Sequence, residues 1–159
     1  MIHMQKATFG AGCFWGVQHE FDQLKGVEKT TVGYMGGKTK NPSYKEVCTN
    51  TTGHAEVVHI EYDENIISYQ QLLDLFWDVH NPTQLNRQGP DVGSQYRSII
   101  FYHSEEQRKQ AEKSKEKQNN STRFNKEIVT EIVEATDFYA AEEYHQHYFK
   151  KHGVTGCHI

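Results

Sequence analysis

The stretch Lys6-Ala7-Thr8-Phe9-Gly10-Ala11-Gly12-Cys13-Phe14-Trp15-Gly16-Val17 changes period partway along. Lys6 to Gly10 reads as a short strand. From Cys13 onward Phe14, Val17, Phe21 and Leu24 recur at helical spacing, so an apolar strand hands over directly to an amphipathic helix whose stripe faces a core. The handover puts Cys13 at a helix N-terminus, where unpaired N–H groups and the positive end of the helix dipole favour the thiolate over the thiol. A free thiol ionises near pH 8.5, and each unit of depression, about 1.4 kcal/mol, raises the ionised fraction up to tenfold. Gly12 and Gly16 leave room for a substrate, and Phe14 and Trp15 offer apolar walls. Trp15 lies off the core stripe, on the side of Gln18, His19 and Asp22, read here as the polar face. A buried, inert cysteine remains the alternative reading of Cys13.

Working outward, Val27 to Met35 predicts a second strand ending at Gly36-Gly37, and Ser43 to Asn50 a short helix after Asn41-Pro42. In the next strand His54, Glu56, Val58, Ile60 and Tyr62 alternate with Ala55, Val57, His59 and Glu61, which sets Glu56 on the face of Val58 and Ile60. Ser68 opens a helix through Val79, stopped by Asn81-Pro82. Residues 81 to 96, with Pro82, Gly89, Pro90 and Gly93, show no period and predict a loop; structureless loops of about 15 residues in compact domains are usually functional or disordered. Arg97 to Tyr102 predicts a strand, Ser104 with Gln107 a capping box for a charged helix to about Asn120, Glu127 to Val133 another strand, and about Phe138 to His152 a last helix ending at Gly153. The order, roughly βαβ(α)βαβαβα, predicts an α+β domain of two layers, helices packed on a central mixed sheet.

The 159 residues, 36% hydrophobic and 12% aromatic, suit one core, and residues 1–159 are read as a single domain with 153–159 a mobile C-terminal tail. Seventeen basic against 21 acidic residues give a net charge of -4 with no persistent basic block, which excludes an obvious nucleic-acid or anionic-membrane partner. No apolar run reaches the roughly 18 residues of a membrane helix, and Met1-Ile2-His3-Met4-Gln5-Lys6 lacks a signal-peptide middle region, so the expected location is cytoplasmic; no extra apolar stripe is left over, so the expected state is a monomer. Cys13, Cys48 and Cys157 are odd in number and widely spaced, which points away from a disulfide framework and toward reduced thiols.

Glu56 on an apolar strand face would be desolvated and its pKa raised, making a carboxylic acid able to donate a proton near neutrality; a strand-end glutamate with its head in water is the plain alternative. Tyr44 and Tyr96, in Gly- and Pro-rich surroundings, offer hydroxyl donors, although nine tyrosines make packing the usual role. Asp91 can accept from a substrate amide or cap its own turn. His145, His147, His152, Cys157 and His158 crowd the C-terminus without the spacing of a zinc motif, so no metal is expected. Cys48, without basic or helix-start context, reads as packing.

Gly12-Cys13-Phe14-Trp15-Gly16, Gly53-His54-Ala55-Glu56 and Asp91-Val92-Gly93-Ser94-Gln95-Tyr96-Arg97-Ser98, in this order, resemble the A-type peptide methionine sulfoxide reductases. Asn41-Pro42-Ser43-Tyr44-Lys45-Glu46-Val47-Cys48 and Glu142-Glu143-Tyr144-His145-Gln146 extend the likeness over nearly the whole chain. The resemblance implies a two-layer α+β fold with a ferredoxin-like core and the reduction of methionine-S-sulfoxide, peptidyl or free, in repair of oxidised proteins. It implies Cys13 as nucleophile, Glu56 as the acid that protonates the sulfoxide oxygen, Tyr44 and Tyr96 as donors to that oxygen, Phe14 and Trp15 as the methyl pocket and Asp91 as the partner of the substrate amide. Cys157 would attack a Cys13 sulfenic acid to form a disulfide that thioredoxin reduces, with no other cofactor. Many members of that family carry two cysteines near the C-terminus, whereas this chain has only Cys157 there, which favours a single recycling step unless Cys48 takes part. Two competing readings are a thiol peroxidase using Cys13 on hydroperoxides, which needs neither an acid nor a methyl pocket, and a zinc-binding module built on the C-terminal His and Cys residues.

Overall fold

In the computed structural model, which describes residues 4–153, the handover at Gly12 is where the layers meet. Strand β1 (Met4–Ala11) runs into helix α1 (Phe14–Asp22) through Gly12, whose φ of +96° lies where a side chain is strained. There follow β2 (Val27–Met35), the one-turn α2 (Tyr44–Val47), β3 (Ala55–Asp63) and α3 (Tyr69–Asp78), then the two-residue strands β4 (Arg87–Gln88) and β5 (Asp91–Val92). β6 (Ser98–Tyr102), α4 (Glu105–Asn120), β7 (Glu131–Glu134), β8 (Tyr139–Ala140) and α5 (Tyr148–His152) complete the described chain. Six strands form one sheet in the order β7-β6-β1-β3-β2-β8, with β6 and β7 parallel and the other pairs antiparallel. Within it β1-α1-β2-β3-α3-β6 is the ferredoxin-like unit implied by the resemblance, and the fold is α+β with a mixed central sheet.

Alternation decides which residues meet the helices. Ala7, Phe9, Val58 and Ile60 face Val17 and Phe21 of α1, Leu72, Leu73, Phe76 and Trp77 of α3, and Ala111 of α4 in the main core. Ala55, Val57 and Ile99 point the other way, against Phe138. Ser68 caps α3 with a full capping box to Gln71, and the Trp77 indole donates to Ser114 Oγ at 2.8 Å, joining α3 to α4.

Four local expectations change. Gln18, placed above on the polar face, is fully buried: its Nε2 donates to Thr30 Oγ1 at 3.2 Å, and its Oε1 accepts from His147 N at 2.7 Å. The expected loop 81–96 contains the β4/β5 hairpin and a 3-10 turn at Ser94–Tyr96, anchored by Gln88, whose carboxamide bonds both the N–H and the C=O of Asn81 at 2.9 Å. At the start of α4, Ser104 Oγ accepts from Gln107 N, but the Gln107 carboxamide bonds His103 N and Lys6 O instead of closing the box. The strand expected from Glu127 starts only at Glu131, because Ile128 N–H donates to Asn119 Oδ1 and Val129 N–H to Pro82 O.

The expected long final helix is interrupted as well. Residues 139–140 pair with β2, and Gln146 acts as a surrogate strand: Oε1 accepts from Val32 N at 2.9 Å while Nε2 donates to Val32 O at 2.9 Å and Ala141 O at 3.0 Å. His147 then takes a left-handed conformation (φ +53°) and a helix starts only at Tyr148. Sheet pairing wins over helical propensity here because it satisfies the β2 edge. The Gln146→Ala variant is therefore expected to lose about 1–3 kcal/mol in urea unfolding, whereas Gln70→Ala on the exposed face of α3 stays within about 0.5 kcal/mol of the parent.

Candidate active site

Cys13 occupies the cap position of α1, half-buried and with φ −54°, ψ 120°. The first N–H of the helix, that of Phe14, donates to Glu56 Oε1 at 3.2 Å. The helix start expected to act on the thiol thus also holds a carboxyl group.

Glu56 reaches this point because it sits on the helix-facing side of β3 in register with Tyr34 of β2. It is 1% exposed, and its Oε2 has no hydrogen-bond partner among the described residues. Burial pushes its pKa up to about 8, the Phe14 N–H working against that shift and the charge of Asp91 adding to it. A carboxyl group this deeply buried, with one N–H donor from the protein, cannot recover the hydration of a carboxylate, so at neutral pH it is mainly the acid, with an O–H to give. The desolvated reading of Glu56 holds over the solvated one.

Tyr44 opens α2, capped by Ser43, and Tyr96 ends the 3-10 turn. Burial raises both phenols above their ordinary value, with Glu56 the next contribution in each case, so both remain O–H donors. Cys13, Cys48 and Asp91 also act electrostatically on Tyr96, and Asp91 acts on Glu56. Cys13, Glu56, Tyr44, Tyr96 and Asp91 are therefore brought to one place.

Cys48 corrects the expectation of packing. It is exposed at the end of α2, beside Tyr44 and Gln95; local burial raises its thiol pKa, with hydrogen bonding to those two side chains opposing the shift. Cys157 lies outside the described residues, as does the tail beyond Gly153.

The aromatic side is layered. Phe14 is 1% exposed, its ring 5.8 Å from that of Tyr34, 6.3 Å from Tyr44 and 5.2 Å from His145. It supports the wall more than it lines it. Trp15 is half-buried, stacked on Tyr148 at 3.8 Å.

Several fastening residues have no role in the sequence reading. Arg97 donates to Ser94 O at 3.0 Å and Gly53 O at 3.1 Å and pairs with Glu131 at 3.1 Å, tying the Tyr96 turn to the start of the Glu56 strand. Asn50 Oδ1 accepts from Ser94 N at 3.1 Å. Glu142 accepts from Tyr34 OH at 3.2 Å and Tyr44 N at 3.1 Å; burial raises its pKa, but these hydrogen bonds prevail and leave it below the usual range. Glu142 is signalled by the motif Glu142-Glu143-Tyr144-His145-Gln146 and Arg97 by its place in the run from Asp91 to Ser98, while Asn50 carries no signal. Among the described residues no group of three or more His, Cys, Asp or Glu side chains is placed to hold a metal ion.

The sequence model of the family described as peptide methionine sulfoxide reductase matches residues 5–159. The peptide methionine sulfoxide reductase MsrA of Methanothermobacter thermautotrophicus is 56% identical over 155 residues, covering 98% of this chain and 92% of its own. Reduced Mxr1 from Saccharomyces cerevisiae superposes with a TM-score of 0.91 at 36% identity, over 98% of this chain and 91% of that one. The same yeast protein in complex with Trx2 superposes with a TM-score of 0.66 at 24% identity, over 98% of this chain and 88% of that one.

The raised pKa of Glu56 has a thermodynamic consequence. Between the ordinary carboxylate range and about pH 8 the folded state holds a proton that the unfolded state has released, so stability falls as pH rises through that window and levels off above it. Glu56→Gln, which removes the titration, is expected to flatten this fall, so that its Tm relative to the parent rises between pH 5 and pH 9 (window set by the shift above). Calorimetry across that range checks it; parallel curves for the two proteins would contradict it.

Proposed function

This chain belongs to the peptide methionine sulfoxide reductase family, and we propose that it works through Cys13 as nucleophile and Glu56 as acid. It is an enzyme that reduces methionine sulfoxide to methionine. The observation that carries the assignment of roles is the buried Glu56 carboxyl, an acid at neutral pH, anchored by Oε1 to the first N–H after Cys13 and with Oε2 lacking any partner among the described residues.

The Cys13 sulfur attacks the sulfoxide sulfur while Glu56 gives its proton to the sulfoxide oxygen, so the breaking S–O bond never leaves an unshielded oxyanion. Tyr44 and Tyr96, whose phenols stay protonated, donate hydrogen bonds to the same oxygen. The attack forms a bond from Cys13 to the substrate sulfur as the protonated oxygen passes from that sulfur to Cys13; the S–S bond then breaks with its electron pair on the substrate, which leaves as methionine, and Cys13, oxidised by two electrons, is left as a sulfenic acid. Trp15 lines the pocket for the substrate methyl with Phe14 behind it, and Asp91 accepts from a substrate amide. The Cys157 thiol displaces water from the sulfenic acid to form a Cys13–Cys157 disulfide, and a dithiol reductant of the thioredoxin class restores both thiols. The Mxr1 complex with Trx2 is in keeping with that reductant.

Substrates are oxidised proteins, peptides and free methionine sulfoxide, with the S epimer preferred, and no metal or organic cofactor enters these steps. Among the described residues no helix is long and apolar enough to cross a membrane; reduced thiols suit a cytoplasmic location, and the chain is read as one domain acting as a monomer.

Two measurements test the reading. A reduced sample given a racemic methionine sulfoxide peptide and no reductant should form methionine from one epimer, lose two thiols and show a Cys13–Cys157 link by mass mapping; a Cys13–Cys48 link would displace Cys157 from the cycle. In single-turnover assays Glu56→Gln should slow methionine formation by about 10²–10⁴-fold, while parental activity falls as pH rises through about 8. Unchanged rates in the Gln variant would remove Glu56 from the chemistry.

A further inference from the structure

We infer that His145 is a positioning residue that fixes the orientation of Trp15 from behind the pocket wall. The inference rests on the reading of Trp15 as a wall of the substrate pocket and extends it to a residue that never meets substrate.

The Trp15 Nε1–H donates to His145 Nδ1 at 2.9 Å. An indole nitrogen can only donate, so His145 Nδ1 must be the unprotonated nitrogen, and the neutral ring carries its hydrogen on Nε2. That Nε2 is buried without a partner among the described residues, and the residue is 1% exposed. A doubly protonated ring would set an N–H against the indole N–H and bury a charge, which costs more than the single unpaired group. Burial lowers the His145 pKa, opposed by the charge of Glu142; its other titratable neighbours, Tyr44 and Tyr144, lie 4.4 and 4.1 Å away by ring centre.

The arrangement leaves Trp15 little freedom. One partner, Tyr148, lies nearly parallel to the indole at 3.8 Å and 9°; the other, His145, packs at 5.7 Å and 30° while accepting the hydrogen bond. Stacking alone lets the indole slide in its plane, whereas a directional bond at its edge sets the angle. His145 also packs against Phe14 and Tyr44, so one neutral imidazole links the residue after the nucleophile to a tyrosine of the oxygen site. Glu142, three residues earlier, holds the Tyr44 backbone, so the segment braces both sides of the site.

A double-mutant cycle on kcat/KM for a methionine sulfoxide peptide tests this. His145→Phe, which keeps a ring but no acceptor, is expected to lower kcat/KM about tenfold, mostly through KM. In a Trp15→Phe background the same change should cost less than about twofold, because there is no N–H left to hold. His145→Asn, whose Oδ1 takes the place of Nδ1, should recover most of the loss. Equal cost in both backgrounds, or no recovery by Asn, would overturn the inference and leave His145 a packing residue. A Trp15→Phe variant with unchanged kcat/KM would instead overturn the pocket reading beneath it. A readout independent of any His145 variant is the Trp15 indole N–H in NMR spectra, assigned by its loss in Trp15→Phe: slow exchange with solvent supports the bond, and exchange at the rate of a free indole contradicts it.

Discussion

A hydrogen bond between the first N–H of α1 and the carboxyl of Glu56 ties the helix capped by Cys13 to the strand beside it, and which way that contact tips the acid decides whether Glu56 has a proton to give. Two influences compete. A helix N-terminus favours the carboxylate, while removal from water favours the acid. Burial wins, leaving a pKa of about 8, because a single N–H replaces the hydration shell and Asp91 adds a like charge nearby. The outcome suits the thiol too: a carboxylate at this spot would repel a thiolate on Cys13, and a neutral acid does not.

The remainder of the architecture can be understood as holding this contact dry and in register. The β2/β3 pairing sets Glu56 opposite Tyr34, whose hydroxyl binds Glu142, which in turn binds the Tyr44 backbone. Arg97 ties the Tyr96 turn to Gly53 and to Glu131 on the sheet edge. Gln146 and Gln18 stitch the C-terminal segment onto β2 and α1, so that His145 and Tyr148 arrive against Trp15. These tethers are polar side chains bonding backbone groups or other side chains of distant elements, a way to give irregular segments defined positions without repeating structure.

Legibility from sequence follows the same division. β1, α1, β2, β3 and α3 were readable because their apolar periods are long and their neighbours are sheet or helix of the same kind, and Glu56 was readable because it breaks an alternating strand. A helix over Phe138–His152 is the wrong reading because Gln146 looks like any helical glutamine until the fold brings it against the outer edge of β2 at Val32. Gln18 looked polar and exposed for the same reason, its partners Thr30 and His147 being supplied by folding. Cys48 carried no local sign of its place beside Tyr44, since α2 reaches the site only through tertiary packing. Motifs identified Tyr44, Tyr96 and Asp91, but only the fold brings them together.

The protonation state of Glu56 at neutral pH in the folded enzyme is open to a direct spectroscopic measurement. Infrared difference spectra of the parent protein, recorded against Glu56→Gln over a pH titration, isolate the C=O stretch of this one protonated carboxyl group. A protonated Glu56 gives a carboxylic acid band at neutral pH that gives way to carboxylate bands with a midpoint near 8. A carboxylate signature already complete at neutral pH would contradict it, and the proton given to the sulfoxide oxygen would have to come from another group.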